Sequence, residues 1–307
     1  MRMNQSFIRR GSIVYGIFYK AITSIYEIPR ETKNSEYGIL SSISDEGLHG
    51  MGVTITDIEE NGFLPIRTHY NYTGYVKKEE LHLLSLSALK TWENSDLMLI
   101  DAFTADIQSM PKVQATRLST LPKGAIVEVI DWRNDNIGWV KVRLANGICG
   151  YVKNQSLIEK EFSQKGLWED SLPKKANINI ANFREAVIVA ATKYYGVQYR
   201  WGGKTTIGID CSGLTSMCYM FQGVLIYRDA KIIKGFPIKE IPFNEKKKGD
   251  LLYFPGHIAM YIENDHYIHA TARTGSDGVV INSLNPNDPD YREDLAKSLY
   301  AVGSLFC

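Results

Sequence analysis

The chain has 307 residues, of which 44 % are hydrophobic and 22 % are charged, a composition typical of a globular protein with room for two or three domains. The formal net charge of +1 leaves no broad basic field to hold nucleic acid. No apolar stretch approaches the ~20 residues that a membrane-spanning helix needs. We therefore expect neither a nucleic-acid partner nor a membrane span.

The N-terminal segment has some features of a short signal peptide. Arg2, Arg9 and Arg10 precede the apolar run Ile13–Tyr19. Lys20 interrupts that run, and no small-residue cleavage site follows it. We therefore expect no signal sequence.

The first half of the chain contains a repeated β-type pattern. The segment "FLPIRTHYNYTGYV" (Phe63–Val76) aligns with "WVKVRLANGICGYV" (Trp139–Val152), with the arginine and the closing Gly-Tyr-Val at the same spacing. Upstream segments align in the same order: Gly50–Ile55 with Gly124–Val129, and Ser24–Pro29 with Asp106–Pro111. Alternating β-branched and aromatic residues between turns predict short strands in a compact barrel, present in two copies.

The repeated pattern resembles bacterial SH3-like domains in its Gly-x-x-Val segment and its terminal Gly-Tyr-Val strand. The resemblance implies two small all-β barrels, which we place at residues 15–85 and 96–162. Their role is open between a scaffold and a surface that binds cell-wall material or shapes a cleft.

A helical period replaces the β pattern after residue 180, with four apolar residues on one face: Phe183, Val187, Ala190 and Ala191. Gly196 is the predicted end of this helix. Residues 163–180, rich in lysine and asparagine, are interpreted as a linker, and residues 181–307 as a domain of a different kind.

The spacing of the four cysteines indicates reduced thiols rather than disulfides or a CxxC metal pair: Cys149, Cys211, Cys218 and Cys307. Cys211 follows a glycine-rich passage, "QYRWGGKTTIGIDCSG" (Gln198–Gly213), and precedes apolar residues at helical spacing. Asp210 is then the predicted N-cap, with Cys211 in the first helical turn. Exposed N–H groups and the helix dipole favour a reactive thiolate there. Cys218, two turns along, is interpreted as a buried structural residue.

Three of the six histidines lie in "PGHIAMYIENDHYIHA" (Pro255–Ala270). If a five-residue loop joins two strands, Tyr261 pairs with Tyr267, and the flanking His257 and His269 become diagonal neighbours within roughly 7 Å. A four-residue loop would instead place them on opposite faces of the sheet. The first register supplies a nucleophilic cysteine with a base and a group that orients the base. The third histidine, His266, is interpreted as a solvated turn residue.

One cysteine and two histidines are also ligands that zinc accepts. A closed zinc site needs a fourth ligand, and Cys218 lies about 10 Å along the helix from Cys211. We therefore expect no metal and no cofactor.

The motifs around these residues occur in a recognisable order: Tyr199-x-Trp201-Gly202-Gly203, Asp210-Cys211-Ser212-Gly213, Lys248–Phe254, Gly256–Ile262 and Tyr267–Ala270. They resemble the successive signatures of the NlpC-type papain-like cell-wall cysteine peptidases. The resemblance implies a multidomain fold of two SH3-like barrels followed by an α+β papain-like catalytic domain. It also implies Cys211 as nucleophile, His257 as general base and acid, and His269 as the third, orienting residue. Tyr199 would help the Cys211 backbone N–H to stabilise the oxyanion.

Two further segments, "YRDA" (Tyr227–Ala230) and "INSLNPNDPDY" (Ile281–Tyr291), resemble one subgroup, the γ-D-glutamyl-L-diamino acid endopeptidases, also called dipeptidyl-peptidase VI. These enzymes trim murein stem peptides that begin with free L-alanine. The resemblance implies a pocket for the peptide's amino terminus formed by four residues: Asp210, Asp229, Ser212 and Trp201. A carboxylate suits such a pocket, because a buried ammonium must be neutralised.

In this subgroup the first SH3-like module closes the pocket with a tyrosine and an acidic residue. Tyr72 is the candidate for the tyrosine, and Glu46 or Asp45 for the acid. Ala230 departs from a serine common at its position, which weakens one hydrogen bond in the implied pocket.

The sequence therefore predicts a cysteine endopeptidase whose partners are murein-derived peptides. The alternatives are a related thiol amidase that cuts between muramic acid and L-alanine, an acyltransferase on the same core, and a non-catalytic wall-binding protein. A cytoplasmic location fits a small free peptide, with export to the cell envelope as the alternative. Whether the diamino acid is lysine or meso-diaminopimelate stays open.

Overall fold

In the computed structural model of the protein, residues 14–132, 138–169 and 178–306 are described. The chain divides into two compact units, Met1–Ser171 and Leu172–Cys307. Strands predominate over helices in the described residues. In this part of the chain, no helix is long and apolar enough to cross a bilayer.

The first unit begins with nine strands: β1 (Val14–Phe18), β2 (Ile22–Tyr26), β3 (Thr32–Ser35), β4 (Gly38–Ser41), β5 (Ile43–Leu48), β6 (Gly52–Ile55), β7 (Phe63–Thr68), β8 (Thr73–Lys77) and β9 (Leu81–Leu84). Seven of them form a sheet in the order β5-β2-β8-β7-β6-β1-β9, while β3 and β4 form a separate hairpin. The apolar run near the N-terminus thus forms a strand from Val14 onward, whereas Arg2, Arg9 and Arg10 lie outside the described residues.

A second sheet follows the helix α1 (Leu86–Glu93). Its strands are β10 (Leu97–Ile100), β11 (Thr104–Gln108), β12 (Arg117–Pro122), β13 (Ile126–Asp131), β14 (Trp139–Arg143), β15 (Cys149–Lys153) and β16 (Leu157–Glu159). They pair in the order β12-β11-β15-β14-β13-β10-β16. With the hairpin β3–β4 set aside, this order repeats that of the first sheet strand for strand.

The aligned sequence segments occupy equivalent strands of the two sheets, and one glycine in each shows why. A Cβ on Gly74 would lie 2.5 Å from Ile25 Cγ2 and 2.9 Å from the carbonyl oxygen of Tyr26. A Cβ on Gly150 would lie 2.6 Å from Ile107 Cγ2 and 2.9 Å from the Gln108 carbonyl oxygen. The Gly-Tyr-Val repeat therefore marks the same close strand crossing in both sheets, which only glycine permits.

The end of the first unit packs against its first sheet. The short helix α2 (Gly166–Glu169) buries Leu167 against Tyr15 and Leu89. The hydroxyl of Thr54 donates to the Leu167 carbonyl at 3.0 Å. Within the segment interpreted as a linker, residues 163–180, the first part is therefore packed structure, and residues 170–177 lie outside the described ranges.

The second unit combines helices with one main sheet. Its helices are α3 (Ile180–Thr192), α4 (Cys211–Phe221) and α5 (Glu293–Ser298). Its strands are β17 (Lys204–Thr205), β18 (Gly208–Ile209), β19 (Lys239–Ile241), β20 (Leu251–Phe254), β21 (His257–Tyr261), β22 (His266–Arg273), β23 (Ser276–Ser283) and β24 (Ala301–Ser304). Six of the strands form a sheet in the order β19-β24-β20-β21-β22-β23, and β17 pairs with β18.

Helix α3 buries the predicted apolar face, with Phe183, Val187, Ala190 and Ala191 all at most 6 % exposed. Phe183 packs edge-on against Tyr219 of α4, with ring centroids 5.2 Å apart. The helix ends at Thr192, before the predicted stop at Gly196. Gly196, at φ +80°, lies beyond the helix and donates its N–H to the Val279 carbonyl of β23.

Candidate active site

Helix α4 begins at Cys211, as the sequence predicts. Asp210 is the N-cap in extended geometry, and its carboxylate accepts the Gly213 N–H at 2.6 Å. The predicted apolar face is buried: Leu214, Met217, Cys218 and Phe221. Cys211 is therefore held in the first turn of a helix anchored in the core.

The glycines around Cys211 permit contacts within the protein. A Cβ on Gly213 would lie 2.1 Å from the carbonyl oxygen of Gly203, and one on Gly203 would lie 2.5 Å from that of Gly208. The glycine-rich passage therefore lets its backbone pack directly against the start of α4.

The β21–β22 hairpin has the predicted register, because Tyr261 pairs with Tyr267 and Met260 with Ile268. Its loop places Asn264 and Asp265 at φ +50° and +60°. Asn and Asp adopt this left-handed conformation more readily than most residues.

This register brings His257 and His269 into direct contact. His257 Nε2 lies 2.7 Å from His269 Nδ1, a hydrogen-bond distance. His269 is fully buried, and its Nε2 lies 2.9 Å from the side-chain oxygen Oδ1 of Asn282 on β23. The amide nitrogen of Asn282 in turn donates to the Asp290 carbonyl at 2.9 Å. The imidazole pair is thus the middle of a chain of hydrogen bonds.

Burial sets the protonation states of the thiol and the imidazoles. It raises the pKa of Cys211 to about 11, and the Asp210 charge adds to the rise; the Ile258 N–H, Arg228 and the Ser212 N–H act in the opposite direction. Burial lowers the pKa of His257 to about 4, with a further contribution from Arg292. The resting pair is therefore a neutral thiol and a neutral imidazole.

These pKa directions correct the expectation of a thiolate at the helix N-terminus. Removing Cys211 from solvent disfavours its charged form more than the surrounding N–H groups favour it. The thiol must therefore lose its proton to a base during attack.

Asp210 belongs to a buried ion pair with Arg228. The two guanidinium nitrogens of Arg228 donate to the two carboxylate oxygens of Asp210, each at 3.0 Å. Arg228 also donates to Ser212 Oγ at 2.7 Å and to the Gly202 carbonyl at 3.0 Å. Both Asp210 and Arg228 are buried. The Asp210 charge is thus neutralised within the protein.

Three other predicted site residues lie in the same unit. Tyr199 forms a backbone bridge to Ile209, two residues before Cys211. Burial and the nearby Cys211 raise the pKa of Tyr199, which keeps its phenol a hydrogen-bond donor. Trp201 is 65 % exposed. Asp229 is half-buried and hydrogen-bonded to Tyr227, whose pKa is raised by burial and then by the Asp229 charge.

The remaining candidates lie in the first unit. Tyr72 is half-buried in the turn between β7 and β8, where its backbone N–H donates to Thr68 Oγ1 at 3.0 Å. Asp45 and Glu46 lie on β5 and are both buried. The hydroxyl of Tyr70 donates to Asp45. The roles proposed for Tyr72 and the acidic pair stay predictions.

The described cysteines are all free thiols: Cys149, Cys211 and Cys218. Cys218 is fully buried, as its structural interpretation requires, and Cys307 lies outside the described residues. His266 begins strand β22 and has more contacts than a solvated turn residue. Its Nδ1 lies 2.8 Å from the Asn264 carbonyl, and its Nε2 lies 3.6 Å from a carboxylate oxygen of Asp288.

Comparison with known proteins places this site in a family. The profile of the NlpC/P60 family matches residues 196–293, which include the cysteine and both histidines. The chain is 41 % identical over 273 residues to Dipeptidyl-peptidase 6 of Lysinibacillus sphaericus, covering 89 % of this chain and 95 % of that protein. The chain belongs to the NlpC/P60 family. The sequence prediction of a cysteine peptidase is thereby confirmed.

Other NlpC/P60 relatives agree with this placement. The chain is 27 % identical over 158 residues to the Gamma-D-glutamyl-L-lysine dipeptidyl-peptidase of Bacillus subtilis, covering 48 % of each protein. A crystal structure of an NlpC/P60 family protein from Bacillus cereus superimposes with a TM-score of 0.68 at 16 % identity, covering 94 % of this chain and 98 % of that one. This likeness supports the fold. The profile of the bacterial SH3 domain matches residues 106–158, which confirms an SH3-like domain ahead of the NlpC/P60 domain.

Sequence reasoning did not assign two residues of this NlpC/P60 site. Arg228 was visible only as part of the "YRDA" motif, because nothing local reveals that it reaches Asp210, 18 positions earlier. Asn282 lies opposite Tyr267 and diagonal to His269 across β22–β23. The two-residue turn Thr274-Gly275 would have given that register, had it been used to pair the strands.

Proposed function

We propose that the protein is a cysteine endopeptidase that hydrolyses the γ-D-glutamyl–L-diamino acid bond of murein stem peptides with a free N-terminal L-alanine. The observation that carries the proposal is a buried Cys211 at the start of α4, in a unit where His257 is hydrogen-bonded to His269. The relationship to Dipeptidyl-peptidase 6 and to the Gamma-D-glutamyl-L-lysine dipeptidyl-peptidase supports the substrate class.

In the proposed reaction Cys211 is the nucleophile and His257 the base. The Cys211 proton passes to His257 as sulfur attacks the γ-carbonyl carbon of D-glutamate, because both groups start neutral. Tyr199 and the Cys211 backbone N–H donate to the resulting oxyanion. His257 then protonates the departing amine of the diamino acid, and water hydrolyses the thioester to release L-Ala-D-Glu.

Selectivity for a free amino terminus is assigned to Asp229. Asp210 is already paired with Arg228, so a substrate ammonium gains little from it. Asp229 lies next to Arg228 in sequence and is half-buried, and its carboxylate is the one assigned to the substrate ammonium. Asp210, Ser212 and Trp201 then border the pocket. An acylated substrate would leave the Asp229 carboxylate without its cation.

For the architecture, we propose that both seven-stranded sheets are SH3-like barrels, at residues 15–85 and 96–162, and that residues 181–307 form a papain-like α+β domain. The identical strand order of the two sheets and the equivalent glycines Gly74 and Gly150 support the first part. The cysteine helix beside an antiparallel sheet that carries both histidines supports the second. A cytoplasmic location completes the proposal, and fractionation of cells that produce the tagged protein tests it against export.

Mass spectrometry of peptide digests tests the function. The substrates are L-Ala-γ-D-Glu-diamino acid peptides that are free, N-acetylated or linked to muramic acid, each with the wild type and Cys211→Ala. Release of L-Ala-D-Glu from the free peptide alone, lost in the variant, is the expected result. Equal cleavage of free and acetylated peptides would overturn the amine pocket. Release of an intact stem peptide from the muramic-acid substrate would indicate the amidase instead.

A further inference from the structure

We infer that Asn282 is a positioning residue that fixes which nitrogens of the His257–His269 pair carry protons. The inference deepens the proposed function, because it concerns the base of the same site. Asn282 is buried, and its side chain joins His269 to the backbone of the segment that follows β23.

The orientation of the Asn282 amide is set by the Asp290 carbonyl. A carbonyl oxygen only accepts hydrogen bonds, so the group 2.9 Å from it must be the amide nitrogen. The amide oxygen Oδ1 then faces His269 Nε2 at 2.9 Å. Because Oδ1 only accepts, His269 must donate from Nε2.

A neutral imidazole carries one proton, on one of its two nitrogens. Burial, with a contribution from His257, lowers the pKa of His269 to about 3, so the ring carries a single proton. That proton is on Nε2, which leaves Nδ1 as an acceptor. The atom 2.7 Å from this acceptor is His257 Nε2, which must therefore be the donor.

One nitrogen of His257 remains to act as the base. The ring is neutral, because burial lowers its pKa to about 4, and its one proton is on Nε2. Nδ1 is consequently left without a proton and is the nitrogen able to take one from Cys211. The residue after His257, Ile258, directs its N–H at the Cys211 sulfur, which places the thiol beside this end of β21.

The Asn282 amide fixes the proton positions of the His257–His269 pair without adding a charge. Arg292 lowers the pKa of both histidines, while Asp294 raises both. Asp294 is itself bound to Arg292 at 2.6 Å, so their fields largely cancel. Asn282 adds direction but no charge. When Cys211 transfers its proton to His257 Nδ1, the Nε2–H bond to His269 persists, and the same Nδ1 proton then passes to the leaving amine.

Substitution of Asn282 tests this assignment in the full-length protein. Asn282→Leu removes both hydrogen bonds, so His269 can place its proton on either nitrogen. We expect kcat to fall about 10- to 100-fold and KM to change less than about twofold. This fall in kcat is smaller than the largest that removal of the general base itself can cause. Asn282→Asp keeps an acceptor for His269; it should recover most of the rate and, by its charge, move the acidic limb of the pH profile to higher pH. Asn285→Ala, on the loop after β23, is the matched control and should leave kcat unchanged.

Two readouts do not depend on the peptide substrate. In ¹⁵N NMR spectra of histidine-labelled protein, wild-type His257 and His269 should both be protonated on Nε2, and Asn282→Leu should mix the tautomers of His269. The rate of Cys211 alkylation by iodoacetamide should fall in Asn282→Leu and recover in Asn282→Asp. Circular dichroism checks that each variant folds.

These readouts separate the inference from the proposed function. If no peptide is cleaved but the tautomers and alkylation rates behave as described, the peptidase proposal fails and the role of Asn282 stands. A proton on His269 Nδ1 in the wild type would overturn the inference. So would Asn282→Leu with unchanged kcat and alkylation rate.

Discussion

Two polar groups in the unit that contains Cys211 differ in charge. In the first, Asp210 and Arg228 form a bidentate ion pair. In the second, His257, His269 and Asn282 are neutral and joined by single hydrogen bonds. The neutral chain can accept a proton at His257. Asp210, the carboxylate nearest the nucleophile in sequence, therefore has a structural role. Proton transfer is assigned to the uncharged group that contains His257.

The largest expected effect comes from breaking the neutral chain at its base. His257→Ala should lower kcat about 10²–10⁴-fold, because the neutral thiol of Cys211 loses its proton acceptor. Release of L-Ala-D-Glu from the free peptide measures the rate. His266→Ala is the matched control and should change the rate less than about twofold, since His266 bonds to neither member of the pair. Full activity in His257→Ala would assign the base elsewhere.

Breaking the ion pair should mainly affect stability. Arg228→Met should lower the free energy of unfolding by about 3–5 kcal/mol, because it leaves the buried Asp210 carboxylate without its partner. Urea unfolding measures the loss, and the double variant with Asp210→Asn should recover part of it. Arg228→Met should also raise the pKa of Cys211 further, since Arg228 lowers it.

A second ion pair in the same unit, partly buried, provides the control for Arg228. Arg184 lies in the N-terminal half of helix α3 and binds Asp250 at 2.8 Å. Arg184→Met should also destabilise the fold but leave the pH dependence of Cys211 alkylation unchanged. Identical alkylation profiles for the two variants would contradict the coupling of Arg228 to the thiol.

The assignment of the substrate ammonium to Asp229, and not to Asp210, can be tested by substitution of Asp229. Asp229→Asn should raise KM for the free peptide about 10- to 100-fold, as expected for losing a hydrogen bond to a charged group. Any residual cleavage of the N-acetylated peptide should be unchanged. Asp277→Asn, at an exposed position on β23, controls for the loss of one charge. A KM unaffected by Asp229→Asn would indicate that another carboxylate binds the substrate ammonium.

The smallest effect is on the pH dependence of stability. His257 and His269 have pKa values lowered from 6.5 to about 4 and about 3, so the unfolded chain binds protons first as the pH falls. Stability is therefore highest above pH 6.5 and declines toward pH 4, by about 0.7 kcal/mol per histidine between pH 7 and pH 6. His269→Gln should flatten this decline. The comparison must be with wild type, because His49 in the other unit, with its pKa also lowered to about 4, contributes a decline of its own. An equal slope in both proteins would contradict the neutral pair.

Local patterns in the sequence account for much of this site. Helical spacing and the N-cap Asp210 placed Cys211 in the first turn of α4. The five-residue loop fixed the hairpin register, and with it the contact of His257 with His269. Each of these features depends on residues within one or two adjacent elements, where periodicity and turn chemistry decide the geometry.

Features that depend on residues distant in the chain could not be predicted from local sequence patterns. The charge of Asp210 looked available because its partner, Arg228, comes from beyond the far end of α4. The helix N-terminus indicated a thiolate, whereas burial of Cys211 among several elements keeps the thiol protonated. Burial and ion pairing are products of tertiary packing, and a local pattern does not encode them.

The most direct test of the central claim is to trap the covalent intermediate. Full-length protein is mixed with free or N-acetylated L-Ala-γ-D-Glu-diamino acid peptide, quenched in acid, and its intact mass and proteolytic fragments are measured. We expect an L-Ala-γ-D-Glu acyl group on Cys211 with the free peptide only, absent in His257→Ala. An acyl group on Cys149 or Cys218, or peptide hydrolysis that persists in Cys211→Ala, would contradict it.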